Sequence, residues 1–121
     1  MNTRIYVATH KKYREYPLKD YCILQVGAKG KKDLGYQRDD DGDNISSKNP
    51  NYCELTGLYW IWKNDTDSDI TGLVHYRRYF SNAKFSVKPT RFLSAEEIEK
   101  VLCMYDIILP KREWLKETAW E

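Results

Sequence analysis

Hydrophobic side chains in this sequence occur mostly in short unbroken runs. Residues 4–9 (RIYVAT) and 21–28 (YCILQVGA) are two such runs, rich in β-branched and aromatic side chains. Two more occupy residues 69–76 (DITGLVHY) and 106–110 (DIILP). Because unbroken apolar runs are typical of strands covered on both faces, each run predicts a buried β-strand.

A longer segment, residues 51–64 (NYCELTGLYWIWKN), has a different pattern. Its apolar side chains recur at helical spacing, and further apolar side chains populate the opposite side. This pattern predicts a helix that is buried nearly all round, with Asn49 or Asn51 as its N-cap. In this interpretation Glu54 belongs to the cap, and the aromatic side chains belong to the core.

A second helix is predicted after residue 93. Ser94 and Glu97 have the spacing of a capping box, and a stripe of apolar side chains follows them through Tyr105. Predicted strands therefore alternate with predicted helices along the chain. This order indicates an α/β fold whose sheet is mainly parallel and has helices on both faces.

Length and composition narrow the class of protein. The 121 residues indicate one domain, and 41% hydrophobic with 31% charged residues is typical of a globular chain. A net charge of +2 without a basic stripe argues against a nucleic-acid partner. No signal peptide or membrane-length apolar run occurs, which indicates a cytoplasmic protein without a transmembrane segment. Three cysteines without a CxxC pair are expected to be buried free thiols.

Polar and charged side chains follow two of the predicted strands. In open parallel sheets, ligands bind beyond the carboxyl ends of the strands, so both places are candidate sites. The candidates are Ala8, Thr9, His10 and Lys11 after the first strand, and His75, Tyr76, Arg77 and Arg78 after the third.

The two adjacent arginines allow two interpretations. Guanidinium groups bind phosphate with two parallel hydrogen bonds, so Arg77 or Arg78 can neutralise a diphosphate while His75 bonds a sugar or phosphate oxygen. Alternatively, both arginines pair with the protein's own acidic loop. Alternation along a strand would send the two to opposite faces, which predicts that only one of them reaches a ligand.

The acidic loop lies within residues 29–51, the longest stretch without hydrophobic periodicity. A loop of this length in a small domain is typically functional or mobile. Asp39, Asp41 and Asp43 have an Asp-x-Asp spacing that allows two carboxylates to share a hard cation. The alternative is a solvated turn around Gly42.

In order along nearly all of its length, the chain resembles a bacterial capsular and exopolysaccharide glycosyltransferase-like family. That family is long catalogued as a domain of unknown function, of the DUF4422 type. The segments that carry the resemblance are YVATHK (6–11), QVGA (25–28), DDDGDNIS (39–46), NYCELTGLYWIWKN (51–64), GLVHYRRYF (72–80) and YDIILP (105–110). The resemblance implies a GT-A-like (Rossmann-like) domain that binds a nucleotide-diphosphate sugar, expected to be UDP-linked, for surface polysaccharide synthesis.

The resemblance also implies site residues. The donor nucleotide is expected at Ala8, Thr9, His10, Lys11, Asp43, Asn44 and Ile45, and the donor sugar and diphosphate at His75, Tyr76, Arg77 and Arg78. GT-A enzymes usually place an Asp-x-Asp metal site where this chain has its cationic cluster. The sequence therefore requires no cofactor; Mg²⁺ or Mn²⁺ is an option, with Asp39, Asp41 and Asp43 as its candidate ligands. No catalytic residue is identified.

Domains of this family are longer than the chain, so residues 1–121 are expected to be a single, truncated donor-binding half. A half of this kind predicts a homo-oligomer with Trp114 or Trp120 near the contact. The expected partners are a nucleotide sugar and a glycan or lipid-linked acceptor, at the inner face of a membrane and with peripheral association. The alternatives are a non-catalytic remnant that acts as an interaction domain, and a metal-dependent phosphoester hydrolase.

Overall fold

The structure is a computed structural model, and it describes residues 1–15, 18–81 and 92–110 of the chain. Three strands come first, three helical segments follow, and a fourth strand and a last helix complete the described chain, so strands and helices do not alternate one by one as the hydrophobic pattern predicts. In chain order the elements are β1 (Thr3–Thr9), β2 (Tyr21–Gln25), β3 (Gln37–Arg38), a 3-10 helix (Ser46–Lys48), α1 (Asn49–Tyr52), α2 (Leu55–Asn64), β4 (Ile70–His75) and α3 (Ala95–Leu102).

The four strands form one sheet in the order β3-β2-β1-β4, and every described pair of strands is parallel. The central strand β1 pairs with β2 from Ile5 to Thr9 and with β4 from Thr3 to Ala8. All carboxyl ends of the strands therefore lie along one edge. The predicted parallel α/β sheet is confirmed.

The side chains of β1 supply the centre of two hydrophobic clusters, one on each face of the sheet. On one face, Tyr6 and Ala8 pack with side chains of β2 and with Trp60 and Ile61 of α2. On the other face, Ile5 and Val7 pack with β4 and with Ile98 of α3. The prediction of helices on both faces is confirmed as well.

The direction of α2 sets which of its ends meets the carboxyl edge of the sheet. Glu54, just before the helix, lies 3.6 Å from His75 at the end of β4. Asp65, just after the helix, accepts a hydrogen bond of 2.7 Å from Tyr6 and one of 3.3 Å from Arg4 near the start of β1. The helix therefore runs antiparallel to the strands, and its first turn lies at the carboxyl edge.

The predicted single buried helix over residues 51–64 is wrong in two respects. The chain breaks at Cys53, which has φ 51° and ψ −130°, so that α1 and α2 are separate helices. Leu55 and Leu58 are about half exposed and Trp62 is 70% exposed, because the sheet covers only one face of α2. Lys48 takes the N-cap position of α1 without a side-chain hydrogen bond, so neither predicted asparagine caps it.

Of the other predicted boundaries, the end of β2 differs from the structure and the start of α3 agrees with it. Strand β2 stops at Gln25 rather than at residue 28, because Gly27 turns the chain with a φ of 62°. The capping box of α3 is confirmed, since Ser94 Oγ accepts from the Glu97 amide at 3.1 Å and Glu97 Oε1 accepts from the Ser94 amide at 3.1 Å.

Residues 106–110 (DIILP) do not form the predicted fourth strand in the described structure. Only Ile108 packs into the second hydrophobic cluster, while Ile107 and Leu109 are about two-thirds exposed. The segment lines an apolar groove of about 660 Å³ beside the outer edge of β4, together with side chains of β4 and α3. An apolar run indicates a need for burial, but in the described structure only Ile108 is packed and the segment pairs with no strand.

The cysteines also depart from expectation. All three are free, but Cys53 and Cys103 are exposed and only Cys22 is partly buried. None of the described helices is long and apolar enough to cross a membrane. The predicted contact residues Trp114 and Trp120 lie outside the described residues.

Candidate functional site

A tight turn follows β4 at the carboxyl edge of the sheet. The Arg78 amide donates to the His75 carbonyl at 2.8 Å, and the His75 amide donates to the Arg78 carbonyl at 3.3 Å. Tyr76, inside the turn, donates its amide to the Ala8 carbonyl at 3.0 Å, which ties the turn to β1. The two arginines therefore lie on a turn and not on a pleated strand.

Both arginines line the same open cleft. The cleft has a volume of about 610 Å³ and is lined by Glu54, His75, Arg77 and Arg78. We call these four residues the arginine cleft. The prediction that the strand pleat separates the two guanidinium groups is wrong, because β4 ends before them and the turn presents both to one space.

Tyr76 brings the two candidate strand ends together. The Arg77 guanidinium carbon lies 5.4 Å and the Lys11 Nζ 5.6 Å from the centre of the Tyr76 ring. The imidazole of His75 lies 4.4 Å from this ring, and that of His10 packs edge-on at 5.7 Å. Side chains after β1 and after β4 thus form one cationic cluster, as the rule for parallel sheets predicts.

Neither arginine has an anionic partner among the residues that the structure describes. Arg77 and Arg78 are exposed, and no carboxylate lies within ion-pair distance of them in those ranges. Of the acidic-loop carboxylates, Asp40 pairs with Arg38 at 3.0 Å instead. The interpretation in which the acidic loop neutralises Arg77 and Arg78 therefore finds no support in the geometry.

Within the cleft, His75 is held in a defined orientation. Its Nδ1 accepts a hydrogen bond of 3.3 Å from the Arg77 amide, so the neutral ring carries its proton on Nε2, which faces Glu54 Oε1 at 3.6 Å. Burial lowers the pKa of His75 below its usual value; Glu54 opposes this, while Arg77, His10 and Arg78 lower it further. The permanent cations of the cleft at neutral pH are therefore the two arginines.

The candidates after β1 divide into two kinds. Ala8 is fully buried in the core, and the Thr9 hydroxyl is occupied by Lys11, donating to its carbonyl at 2.7 Å and accepting from its amide at 3.2 Å. Both residues therefore stabilise the end of β1 and the turn after it, and their side chains are occupied within the chain. The side chains of His10 and Lys11 are exposed next to Tyr76 and remain available to a ligand.

Asp39 has no solvent exposure, and its carboxylate accepts four hydrogen bonds. The donors are the amides of Gly27 (2.8 Å) and Ala28 (3.0 Å) and the hydroxyls of Ser46 (2.6 Å) and Thr56 (2.8 Å). The carboxylate thus joins the turn after β2, the 3-10 helix and α2. Asp39 is a structural centre that the sequence interpretation missed.

Asp43 lies toward the far end of α2 from the arginine cleft. Its carboxylate accepts from the Tyr59 hydroxyl at 2.9 Å, and its carbonyl accepts from Asn64 Nδ2 at 2.8 Å. Tyr59 and Asn64 follow Glu54 by five and ten residues, and a helix rises about 1.5 Å per residue. Roughly 7–15 Å along the helix axis therefore separate Asp43 from the cleft.

The neighbouring loop residues hold the loop together. Asn44 donates to the carbonyls of Asp40 and Gly42 at 3.1 and 2.8 Å, and Ile45 immediately precedes the 3-10 helix. The structure does not bring residues 43–45 to the cleft, and their contact with a donor stays a prediction.

The chemistry of the donor set gives little room for a metal ion. Asp41 accepts from Gln37 Nε2 at 2.9 Å, and both oxygens of Asp39 are occupied by donors of the chain. In residues 1–15, 18–81 and 92–110, no group of three or more His, Cys, Asp or Glu side chains is placed to hold a cation. The cleft supplies one carboxylate, so Mg²⁺ or Mn²⁺ would have to take its further oxygen ligands there from water and from the phosphates of a ligand.

That carboxylate, Glu54, is the second residue that sequence reasoning missed. It stands before the first turn of α2, but its side chain makes no capping hydrogen bond and is 50% exposed in the cleft. The available signal was topological. A helix that precedes a parallel strand begins at the carboxyl edge of the sheet, so residues at its start point toward the candidate site.

Comparisons with known proteins agree with this architecture. The model of a family described as "Domain of unknown function (DUF4422)" matches residues 4–121. Among solved structures, the chain is similar to one described as the apo structure of the bifunctional glycosyltransferase WbbM, with 41% identity and a TM-score of 0.63. The match covers 74% of this chain and 16% of that one. A comparison with curated proteins finds no match.

Proposed function

The chain belongs to the DUF4422 family and carries a glycosyltransferase-like domain with a GT-A-like fold, and from this premise we propose that its arginine cleft binds the diphosphate of a nucleotide sugar. We infer a UDP-linked donor and a role in building a surface polysaccharide on a glycan or lipid-linked acceptor. In this proposal Arg77 and Arg78 hold the phosphate oxygens, and Lys11 and His10 approach from the end of β1.

One observation carries the proposal. Two exposed guanidinium groups face one cleft at the carboxyl edge of a parallel sheet, without a carboxylate partner among the described residues. Sugar transfer releases a nucleoside diphosphate, and fixed positive groups stabilise the charge that develops on it. Arginine suits this task because its planar fork bonds phosphate at two points and stays charged at every physiological pH.

Similarity supports the class of reaction. The solved structure that the chain resembles is described as a bifunctional glycosyltransferase, and the identity of 41% extends over most of this chain. The chain spans 16% of the length of that protein. Sugar transfer, its acceptor, a place at the membrane surface and self-association therefore belong to the proposal for this chain.

In this proposal the two arginines of the cleft, rather than a metal ion, neutralise the charge of the diphosphate. Glu54 is the one carboxylate that lines the described cleft, so the cleft by itself does not surround a cation that takes six or more oxygen ligands. Diphosphate binding in this proposal therefore does not depend on Mg²⁺ or Mn²⁺. Addition of EDTA is expected to leave donor binding unchanged.

A thermal-shift experiment tests the proposal. A ligand that binds only the folded chain stabilises it by RT ln(1 + [L]/Kd), about 2.7 kcal/mol at a concentration of 100 Kd. UDP and UDP-hexoses at millimolar concentration are expected to raise the Tm, whereas uridine, which lacks the diphosphate, is expected to raise it much less. Absence of a shift with UDP, in protein shown to be folded, would remove the proposal.

The same samples distinguish sugar transfer from two alternative functions, a non-catalytic interaction domain and a metal-dependent phosphoester hydrolase. A non-catalytic domain that retains nucleotide affinity would bind UDP but leave a UDP-hexose intact when the acceptor is supplied. A metal-dependent phosphoester hydrolase would cleave the donor without an acceptor and would stop when EDTA is added.

A further inference from the structure

The carboxylate of the arginine cleft has no evident role in binding a diphosphate. Glu54 faces His75 at 3.6 Å and is half exposed in the space that Arg77 and Arg78 also line. A carboxylate placed beside a bound diphosphate would repel it and weaken binding. A ligand group that donates hydrogen bonds next to the phosphates would offset this repulsion.

The chain presents this carboxylate from a fixed position. The Glu54 carbonyl accepts from the amides of Gly57 and Leu58 at 2.9 and 3.2 Å, which anchors the residue to the first turn of α2. Thr56 of the same turn is fully buried and donates to Asp39. On the other side of the carboxylate, the proton on His75 Nε2 points toward Glu54 Oε1. The backbone of Glu54 is therefore held in place, and its half-exposed carboxylate lies next to His75 without a hydrogen bond within the described chain.

We propose that Glu54 accepts a hydrogen bond from a hydroxyl of the hexose attached to the diphosphate, so that the arginine cleft binds the sugar of a nucleotide sugar as well as its phosphates. This inference rests on the proposed function, because it needs the diphosphate to occupy the arginines. A hexose presents several hydroxyl donors within a few ångströms of its anomeric phosphate. An ionised carboxylate is the strongest acceptor available for them.

The charge of Glu54 gives the inference a distinctive signature. Replacing Glu54 by Gln keeps the shape of the side chain but removes the negative charge. Free UDP has no hexose, so it loses no contact and also loses a repulsion; its affinity should stay within about twofold or improve. A UDP-hexose loses a charge-assisted hydrogen bond, so its affinity should fall by about tenfold. Opposite responses of two related ligands do not follow from a general loss of folding.

The experiment is titration calorimetry of the chain with UDP, UDP-glucose and UDP-galactose. Glu54→Gln is the main variant, and Glu54→Ala, which removes the acceptor entirely, should weaken hexose binding at least as much. Glu96→Gln is the matched control, because Glu96 is an exposed carboxylate on α3 that faces Lys19 at 3.8 Å, away from the cleft. It should leave all three affinities unchanged.

The outcomes separate the inference from the function on which it rests. Weaker binding of a UDP-hexose by Glu54→Gln, with UDP binding retained, supports the inference. The inference would be overturned if Glu54→Gln weakened UDP and UDP-hexose binding equally or weakened neither. It would also be overturned if the unaltered chain bound UDP but neither UDP-hexose. In each case the unaltered chain still binds UDP, so the proposed function stands. Failure of the unaltered chain to bind UDP would remove the proposed function first and this inference with it.

Discussion

Two charged regions of this chain look equivalent in the sequence and differ completely in the structure. The carboxylate of Asp39 has no solvent exposure and accepts four hydrogen bonds from within the chain. The guanidinium groups of Arg77 and Arg78 are exposed and have no carboxylate within ion-pair distance in the described ranges. The fold itself supplies the hydrogen-bond partners of Asp39, whereas Arg77 and Arg78 are available to a ligand.

Location in the sheet explains the difference. Asp39 follows the short strand β3 and lies beneath the turn after β2, where an unpaired charge would cost several kcal/mol. The arginines protrude in a turn beyond the end of β4, where water solvates them at little cost. A charged residue in an apolar context is therefore evidence for a binding site only when the fold leaves it without an internal partner.

The largest effect is expected when the internal centre is removed. Asp39→Ala removes the acceptor of four hydrogen bonds, three of them buried, so the free energy of unfolding should fall by about 3–5 kcal/mol in urea denaturation. Asp67→Ala, an exposed carboxylate in the turn after α2, is the control and should cost less than about 0.5 kcal/mol. Equal losses in the two variants would contradict the structural role of Asp39.

The next effect concerns the exposed cations. Arg77→Met and Arg78→Met keep much of the side-chain volume but remove the charge-assisted hydrogen bonds. At least one of them should weaken UDP binding by about 1.5–3 kcal/mol in calorimetry, while the free energy of unfolding changes by less than about 0.5 kcal/mol.

Arg38→Met provides the matched control for these variants. Arg38 pairs with Asp40 at 3.0 Å and donates to the Ala28 carbonyl at 2.7 Å. Its loss should lower stability and leave UDP binding unchanged. If Arg77→Met and Arg78→Met instead lowered stability and kept UDP affinity, the comparison between the two regions would fail.

A smaller effect is expected from pH, through His75. Its pKa in the folded chain is lowered by burial and by Arg77, Arg78 and His10, against the attraction of Glu54. The unfolded chain therefore binds a proton more readily. The stability contributed by neutral His75 is therefore present above the pKa of the unfolded chain, about 6.5, and declines as pH falls through the lower pKa of the folded chain, which urea denaturation at a series of pH values measures.

Ligand binding should show the reverse dependence. A bound diphosphate favours protonated His75, so affinity for a UDP-hexose, whose own charge does not change in this range, should rise severalfold from pH 8 to pH 6. Calorimetry in two buffers of different ionisation enthalpy measures the proton uptake. His75→Gln should abolish it, and an unchanged pH profile in that variant would assign the proton to another group.

The smallest effect is expected at Asp43. Because Asp43 contacts Tyr59 and Asn64 on α2 rather than the cleft, Asp43→Asn should change the Kd for UDP by less than about twofold. A larger loss in calorimetry would place the acidic loop in the donor site, as the family resemblance implies.

The sequence predicts those features that depend on local patterns. The apolar runs of β1, β2 and β4 and the capping box at Ser94 are each encoded within a few residues. The rule that ligands bind beyond the carboxyl ends of parallel strands then predicts that Lys11 and Arg77 lie at the same edge of the sheet, because both residues follow the end of a strand.

Features that depend on distant residues were missed. The donors that surround Asp39 lie 7 to 17 positions away in the chain and form no recognisable motif. The exposure of Glu54 follows from the direction of α2 relative to β4. Conversely, residues 106–110 have the pattern of a strand, but their packing in the groove beside β4 is not encoded in that pattern.

The central claim is that a nucleoside diphosphate binds at the turn after β4. The most direct test is a titration of ¹⁵N-labelled chain with UDP, followed by amide chemical shifts. The largest changes are predicted for residues 75–78, Glu54 and residues 10–11, with little change at Asp39. Shifts confined to the groove lined by β4, α3 and residues 106–110, or no shifts at millimolar UDP, would contradict the claim.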